Sequence, residues 1–329
     1  MRIMDDYAVD IATLVVSLIV SLLTTFITVP WLIKQLGKRN IMGIDHNKPD
    51  KTKIPEMGGL AVLIGFVAGV STFLVVNKIL NDVEYEFLAA TVLAVVGAAL
   101  AGIMDDLFGL RQRIKAVIPF LFAIPVGVYV ADKTTLNFVV ITIDFGILMM
   151  LIAPFGVTCA ANAGNMLEGF NGLGTGLGII ISITLIAISL KDGVTESLIL
   201  LFPLLGALIA FLWFNRYPAR IFPGDTLMLF VGATIACAAI VGDFKTIGAL
   251  LFIPMIMEFF LKLGGKFKGE NYGTPDKEGY LSYEGDIESL THYFMKKRKL
   301  KEPQLVMILW GIEGILCAII LVGAFVGLF

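Results

Sequence analysis

The sequence predicts an all-α polytopic membrane protein of about ten transmembrane helices, with a functional site built from the loops on one membrane face. Three observations predict it. Of 329 residues 57% are hydrophobic, and the mean hydropathy is +0.89, against roughly 45–50% apolar residues in soluble domains. The apolar residues collect into runs near the length of roughly 20 residues that spans a bilayer as a helix. The Lys and Arg residues collect in alternate loops. In lipid only helices and closed barrels satisfy their own backbone, and these runs are too long and too evenly apolar for barrel strands, which alternate.

The first run, 9–36, has no cleavage-site pattern behind a short apolar core, so it is expected to stay as a span. A polar loop from Gly43 to Gly59 follows, stiffened by Pro49 and Pro55, and leads into the second run, 58–80. The third, 87–104, ends on Asp105-Asp106; Arg111, Arg113 and Lys115 then open the fourth, 114–131. The fifth, 146–161, ends on Asn162-Ala-Gly-Asn165, ahead of Glu168, Asn171 and the sixth run, 173–190. Glycines from Gly172 to Gly178 suit close helix packing in lipid. A dinucleotide loop is rejected there, because no strand precedes it. The seventh run, 197–214, is ended by Pro218 and Pro223, and Asp225-Thr226 introduce the eighth, 226–242. The ninth, 244–263, leads into the longest loop, 264–303, and the tenth covers 304–328. In that loop Gly279–Tyr283 suit a short strand or turn. Asp286 is placed to cap a helix with Ile287, Leu290, Phe294 and Leu300 on one face, either interfacial or part of a solvated basic stretch.

Loops after odd-numbered runs hold 20 cations and the other face five. The positive-inside rule makes the first face cytoplasmic and puts both termini outside, in the plasma membrane of a prokaryote. The whole chain, 1–329, reads as one transmembrane domain. Cys159, Cys237 and Cys317 lie in apolar runs without pairing or metal spacing, and all three are expected to be small buried hydrophobes. His46 lacks a partner at metal spacing and His292 lies far off in sequence, so no zinc site is expected.

The chemistry-bearing residues are carboxylates, amides, Lys and Arg on one face, with no Ser–His or Cys–His pair evident. That set suits phosphoryl transfer, where catalysis is mostly positioning and charge neutralisation. Asp105-Asp106 is charge at the end of a membrane helix, which is costly and usually functional; a polar interfacial loop is the bland alternative. Asn162 and Asn165 share one face of a helical turn, and amide oxygens suit Mg²⁺ or merely line a helix break. The start of the sixth helix would offer free amides to an anion. Asp225 fits either a simple N-cap or a metal ligand beside the other clusters. Asp225 and Lys115 are expected to face water. The membrane setting points to one lipid substrate, its tail running along grooves between helices.

Together these motifs resemble the polyprenyl-phosphate N-acetylhexosamine-1-phosphate transferases of glycosyltransferase family 4 type. They are most like the UDP-N-acetylglucosamine–dolichyl-phosphate N-acetylglucosaminephosphotransferase branch; the phospho-N-acetylmuramoyl-pentapeptide transferases are more distant. The motifs are Ile54-Pro55-Glu56, Asp105-Asp106 through Lys115, Asn162-Ala-Gly-Asn165 with Gly169-Phe-Asn171-Gly172, and Phe222-Pro-Gly224-Asp225-Thr226. The resemblance implies attack of a polyprenyl or dolichyl phosphate on the β-phosphorus of UDP-N-acetylglucosamine or a similar UDP-N-acetylhexosamine. UMP leaves, and the product opens lipid-linked oligosaccharide, protein-glycosylation or cell-surface glycan synthesis. It implies Mg²⁺, with Mn²⁺ as substitute, on Asp225 and Asn165. Lys115 would neutralise phosphate, and Asp105 and Asp106 would lie by the lipid phosphate as base or orienters. Phe222 and Asn171 would contact uracil, and Glu56 and Asn162 would line the nucleotide–sugar pocket. Glu168, Lys53, Lys266 and Lys268 complete the expected substrate-binding set. Relatives carry a His- and Arg-rich motif after the ninth helix; here Gly264–Gly279 has neither residue, and Lys266 and Lys268 are left to supply charge. A second copy of the chain is a candidate partner, and no nucleic acid is expected. The competing class is a transporter with an acidic cation site. A CDP-alcohol phosphatidyltransferase lacks its required aspartates here.

Overall fold

The computed structural model describes residues 11–80, 86–137 and 141–328. The start of the first predicted run, the cation Arg2 and the middle of the Asn77–Glu86 loop lie outside them. The described helices are α1 (Ile11–Lys38), α2 (Gly59–Leu80), α3 (Glu86–Phe108), α4 (Gln112–Tyr129), α5 (Met149–Met166), α6 (Leu173–Asp192), α7 (Thr195–Asn215), α8 (Gly224–Val241), α9 (Lys245–Leu251), α10 (Ile253–Gly264), α11 (Leu290–Lys297) and α12 (Glu302–Phe325). Nine of these are long and apolar enough to cross a membrane, and α9 with α10 makes a tenth span bent by 59°. The chain is an integral membrane protein of the predicted all-α class.

The ninth run is the one span that departs from expectation, being two helices rather than one. Pro254 lies in the first turn of α10. A proline lacks an N–H and disfavours helical geometry in the residue before it, so the chain turns at Phe252. Hydropathy alone does not register this, because the residues on both sides are apolar.

Helix α8 is the centre of the bundle. Every residue from Thr226 to Val241 is buried, and it packs against α3, α5, α7 and α2. Small residues permit the close approaches that substitute for hydrophobic driving force in lipid. A methyl group at Gly232 would lie 2.4 Å from the Ala160 carbonyl of α5, and one at Gly102 of α3 would lie 2.5 Å from Thr226 Cα. Around this axis α1, α2 and α7 form one side, α3, α4 and α5 another, and α6 with α12 a third.

Short antiparallel strands decorate the ends. Strands β1 (Met42–Ile44) and β2 (Lys53–Pro55) pair after α1, and β3 (Thr135–Asn137) and β4 (Thr142–Asp144) pair at the opposite end. The long segment after α10 folds on its own terms. Strand β6 (Tyr280–Ser282) pairs with β5 (Thr274–Pro275) and β7 (Leu300–Lys301), so Leu300 faces Leu281 in a sheet instead of lying on a helix. Helix α11 is capped by Ser289, not Asp286, and Glu258 of α10 accepts from the Leu290 N–H and the Ser289 hydroxyl. His292 is buried between these elements: it stacks on Tyr283, bonds the Glu270 carbonyl through Nε2, and is held below the usual imidazole range by burial.

Candidate active site

The C-termini of α1, α3, α5, α7 and α10 meet the N-termini of α2, α4, α6, α8 and α12 at one end of the bundle. They enclose a cleft of about 410 Å³ lined by Gly43–His46, Glu56, Asn165, Glu168–Asn171, Phe222–Asp225 and Tyr272.

Behind Asp225, outside the lining itself, the two adjacent aspartates diverge, as neighbours about 100° apart on a helix must. Asp105 accepts the Leu110 N–H at 2.6 Å and pairs with Lys115 Nζ at 2.7 Å. The same ammonium pairs with Asp225, so a residue from α3 and one from α8 meet on a cation from α4. Lys115 is buried rather than facing water as expected, because two carboxylates flank it. Asp106 turns instead to the start of α8: its oxygens accept the N–H groups of Asp225 and Thr226 at 2.8 and 3.1 Å and the Thr226 hydroxyl at 2.6 Å. The N-terminal partial charge of a helix favours such a carboxylate. The capping role that the sequence left open for Asp225 thus belongs to Asp106, and Asp225 is free to face the cleft.

The walls are set by backbone ties. The Phe222 N–H donates to the Pro55 carbonyl, and Gly58 and Gly59 donate to the carbonyls of Phe222 and Pro223. These bonds place Glu56 and Phe222 side by side; a methyl group at Gly43 would lie 2.9 Å from both. Asn215 of α7 donates to the Ile221 carbonyl and accepts from Thr175, fixing the same turn from below. Burial, then the nearby Asp106 charge, raises the Glu56 carboxyl above its ordinary value.

Glu168 corrects one expectation. The start of α6 does not offer open amides to an anion, because the Glu168 side chain accepts the Gly174 N–H at 2.8 Å. Burial pushes this carboxyl up to about 7. The Asn165 side chain has no protein partner among the described residues, and Asn165 lines the same cleft as Asp225. Asn162, one turn earlier, instead donates to the Thr158 carbonyl within α5 and lies outside the lining. Lys53, Lys266 and Lys268 are exposed and also outside it.

The floor of the cleft carries residues that sequence reasoning passed over. Lys48 pairs with Glu302 at 2.6 Å and Asp45 at 3.1 Å and sits 4.0 Å from the Tyr217 ring centroid. Burial opposes its charge, but Glu302 and then Asp45 outweigh it and hold the ammonium above its ordinary range. Asn171 donates from its backbone to Glu302 at 2.7 Å and from its amide to Asp45 at 3.1 Å. The only local signal was an acid at the start of the last span, which any helix N-terminus would favour. Tyr272 reaches the cleft from the long segment; burial and then the Glu270, Glu168, Glu56 and Asp45 charges push its phenol up to about 12, so it is a neutral donor at working pH.

An apolar groove of about 260 Å³ opens between α5, α8 and the α9–α10 bend, lined by Ala153, Gly156, Ala160, Ala163, Ala239 and Phe252 among others. Cys159 lies on its wall and is exposed, contrary to expectation; Cys237 and Cys317 are buried as expected. The physical reason is the groove between α5, α8 and the α9–α10 bend, which leaves that part of α5 open. Glu313 stands apart from the site, buried within α12 with one oxygen accepting from Cys317 and the other unpartnered.

The family model of glycosyl transferase family 4 matches residues 87–243. A Saccharolobus solfataricus protein, provisionally named a UDP-N-acetylglucosamine–dolichyl-phosphate N-acetylglucosaminephosphotransferase, is 40% identical over 90% of this chain and 92% of its own length. The UDP-N-acetylglucosamine–dolichyl-phosphate N-acetylglucosaminephosphotransferase of Dictyostelium discoideum is 28% identical over 71% of this chain and 68% of its own. The phospho-N-acetylmuramoyl-pentapeptide-transferase of Chloroherpeton thalassium is 28% identical over 87% and 85%.

Proposed function

The chain belongs to glycosyl transferase family 4 and is a membrane sugar-phosphate transferase, and on that premise we propose that it moves an N-acetylhexosamine 1-phosphate, GlcNAc 1-phosphate first among them, from a UDP-sugar to a polyprenyl or dolichyl phosphate. The observation that carries the reading is the junction of Asp105, Lys115 and Asp225, of which Asp225 lines the same cleft as the unpartnered Asn165 amide. A lipid-phosphate oxygen attacks the β-phosphorus of the donor, the bond to UMP breaks, and a polyprenyl-diphospho-sugar forms. One phosphoanhydride replaces another, so the step is close to thermoneutral.

Asp225 and Asn165 fit a divalent cation, since Mg²⁺ takes one or two protein oxygens and completes its shell with water and substrate phosphate. Bound there, it would offset charge on the diphosphate. Lys115 supplies a second positive charge, held in place by Asp105. A phosphomonoester has its second pKa near ~6 and is largely dianionic at neutral pH, so Asp105 orients Lys115 rather than removing a proton. Phe222 offers a ring face for uracil and Glu56 lies beside it. The lipid tail takes the apolar groove on α5, lined by Gly156, Ala160 and Ala163. The excess of cations at the cleft end supports a cytoplasmic site.

The test is a donor panel with purified protein, polyprenyl phosphate and Mg²⁺: UDP-GlcNAc, UDP-GalNAc, UDP-MurNAc-pentapeptide and UDP-glucose, each assayed for UMP. UMP with an N-acetylhexosamine donor, abolished by EDTA, is expected. No UMP from any donor refutes the reaction, and activity indifferent to EDTA removes the cation. The transporter reading draws on Glu313, buried within α12 with an unpartnered oxygen; ion flux in vesicles without UMP release would restore it.

A further inference from the structure

Two rings in the cleft are used by none of the roles above. His46, after β1, and Tyr272, after α10, stack with centroids 4.7 Å apart and planes 19° from parallel. Both line the cleft. Among the described residues neither the His46 nitrogens nor the Tyr272 hydroxyl has a partner in the protein.

The pair is held from behind. Asn47, next to His46, donates to the Gly169 carbonyl at 2.8 Å and accepts the Gly273 N–H at 3.4 Å. Asn271, next to Tyr272, donates to the carbonyls of Met166 and Glu168 at 2.8 and 2.7 Å. Both tethers therefore end on the turn that follows Asn165. Gly169 in that turn has φ +149°, and a methyl group there would lie 3.2 Å from the Tyr272 ring, so the ring rests against bare backbone. Rings fixed at the base with free polar tips are a recognition surface; rings that merely fill space bury their polar atoms against partners.

A UDP-sugar has a base and a sugar on either side of a diphosphate. The Asp105–Lys115–Asp225 junction takes the diphosphate and Phe222 takes the base. Phe170 also lines the cleft but is buried, so among the described residues the remaining open ring surface is His46–Tyr272. We propose that His46 and Tyr272 recognise the transferred sugar, stacking on its C–H face and hydrogen-bonding its acetamido group, and that they set donor selectivity. The proposal rests on the UDP-sugar reading above.

The experiment compares full-length wild type with H46A, Y272A and the packing-conservative variants H46Q and Y272F. Calorimetry measures binding of UDP and of UDP-GlcNAc; UMP release measures kcat/KM for UDP-GlcNAc and UDP-glucose. UDP should bind all five proteins alike. UDP-GlcNAc affinity and the UDP-GlcNAc over UDP-glucose preference should fall at least about tenfold in the alanine variants, because a site that hydrogen-bonds a group discriminates against donors lacking it. Y272F should keep the stacking and lose part of the preference. Equal loss of UDP and UDP-GlcNAc affinity would move the pair onto the nucleotide and overturn the proposal. So would an unchanged donor preference in folded H46Q and Y272F alongside unchanged alanine variants. Wild type that binds neither ligand overturns the functional reading and this one with it, whereas active wild type with unaltered variants overturns this one alone.

Discussion

Asp105 and Asp106 are neighbours with separate duties, and substitution separates them. Asp106 carries three hydrogen bonds at the start of α8, and losing a cap typically costs about 1 kcal/mol, more where it is charged and buried. Asp106→Ala should therefore lower thermal stability by about 2 kcal/mol and reduce activity through displaced Asp225. Asp105→Asn keeps an acceptor for Leu110 but weakens the hold on Lys115, so turnover should fall with little change in melting temperature. Reversed effects in a paired melting and UMP assay would contradict these assignments. Glu168 gives a pH signature. Its carboxyl titrates near 7 against an ordinary 4.5. A proton held more tightly in the folded state stabilises fully below the ordinary value, and that contribution is lost as pH rises to about 7. Glu168→Gln should flatten the fall in melting temperature between pH ~5 and ~8; parallel curves for variant and wild type would place the titration elsewhere.

Among the elements, the start of α8 is the most constrained. Methyl groups at Gly59 and Gly102 would lie 2.3 and 2.5 Å from its backbone at Leu227 and Thr226, while Gly314 on α12 has nothing within 4 Å. Overpacking of this kind costs about 1–3 kcal/mol. Gly102→Ala should then destabilise by about 2 kcal/mol and cut UMP release more than Gly314→Ala, which should be silent. Equal tolerance at the two sites in a melting assay would argue against the close α3–α8 contact. The spans were legible because hydropathy changes sharply at their ends, where Asp105, Asn162 and Asp225 stand. The break at Phe252 was not, since Pro254 sits among apolar residues on either side. Helix α11 was legible as a helix but not its cap, because Asp286 and Ser289 are equally good capping residues in isolation.

For the molecule as a whole, what escaped the sequence is what depends on distance along it. His46 meets Tyr272, and Lys48 meets Glu302, without any local periodicity to announce either contact. Cys159 looked like any other apolar-helix residue, yet it lies exposed on the groove wall. That exposure makes a whole-molecule assay: with the lipid tail in the groove, polyprenyl phosphate should slow maleimide labelling of Cys159 several-fold, whereas UDP-GlcNAc alone should not. Labelling indifferent to lipid would move the tail to another face. The Lys48–Glu302 pair has a consequence for biogenesis. Glu302 opens α12, and Asn171 depends on it for its place. A nascent chain whose α12 has not yet emerged has every expected catalytic side chain yet an unfinished pocket, so the protein stays inert until α12 has been threaded into the bilayer.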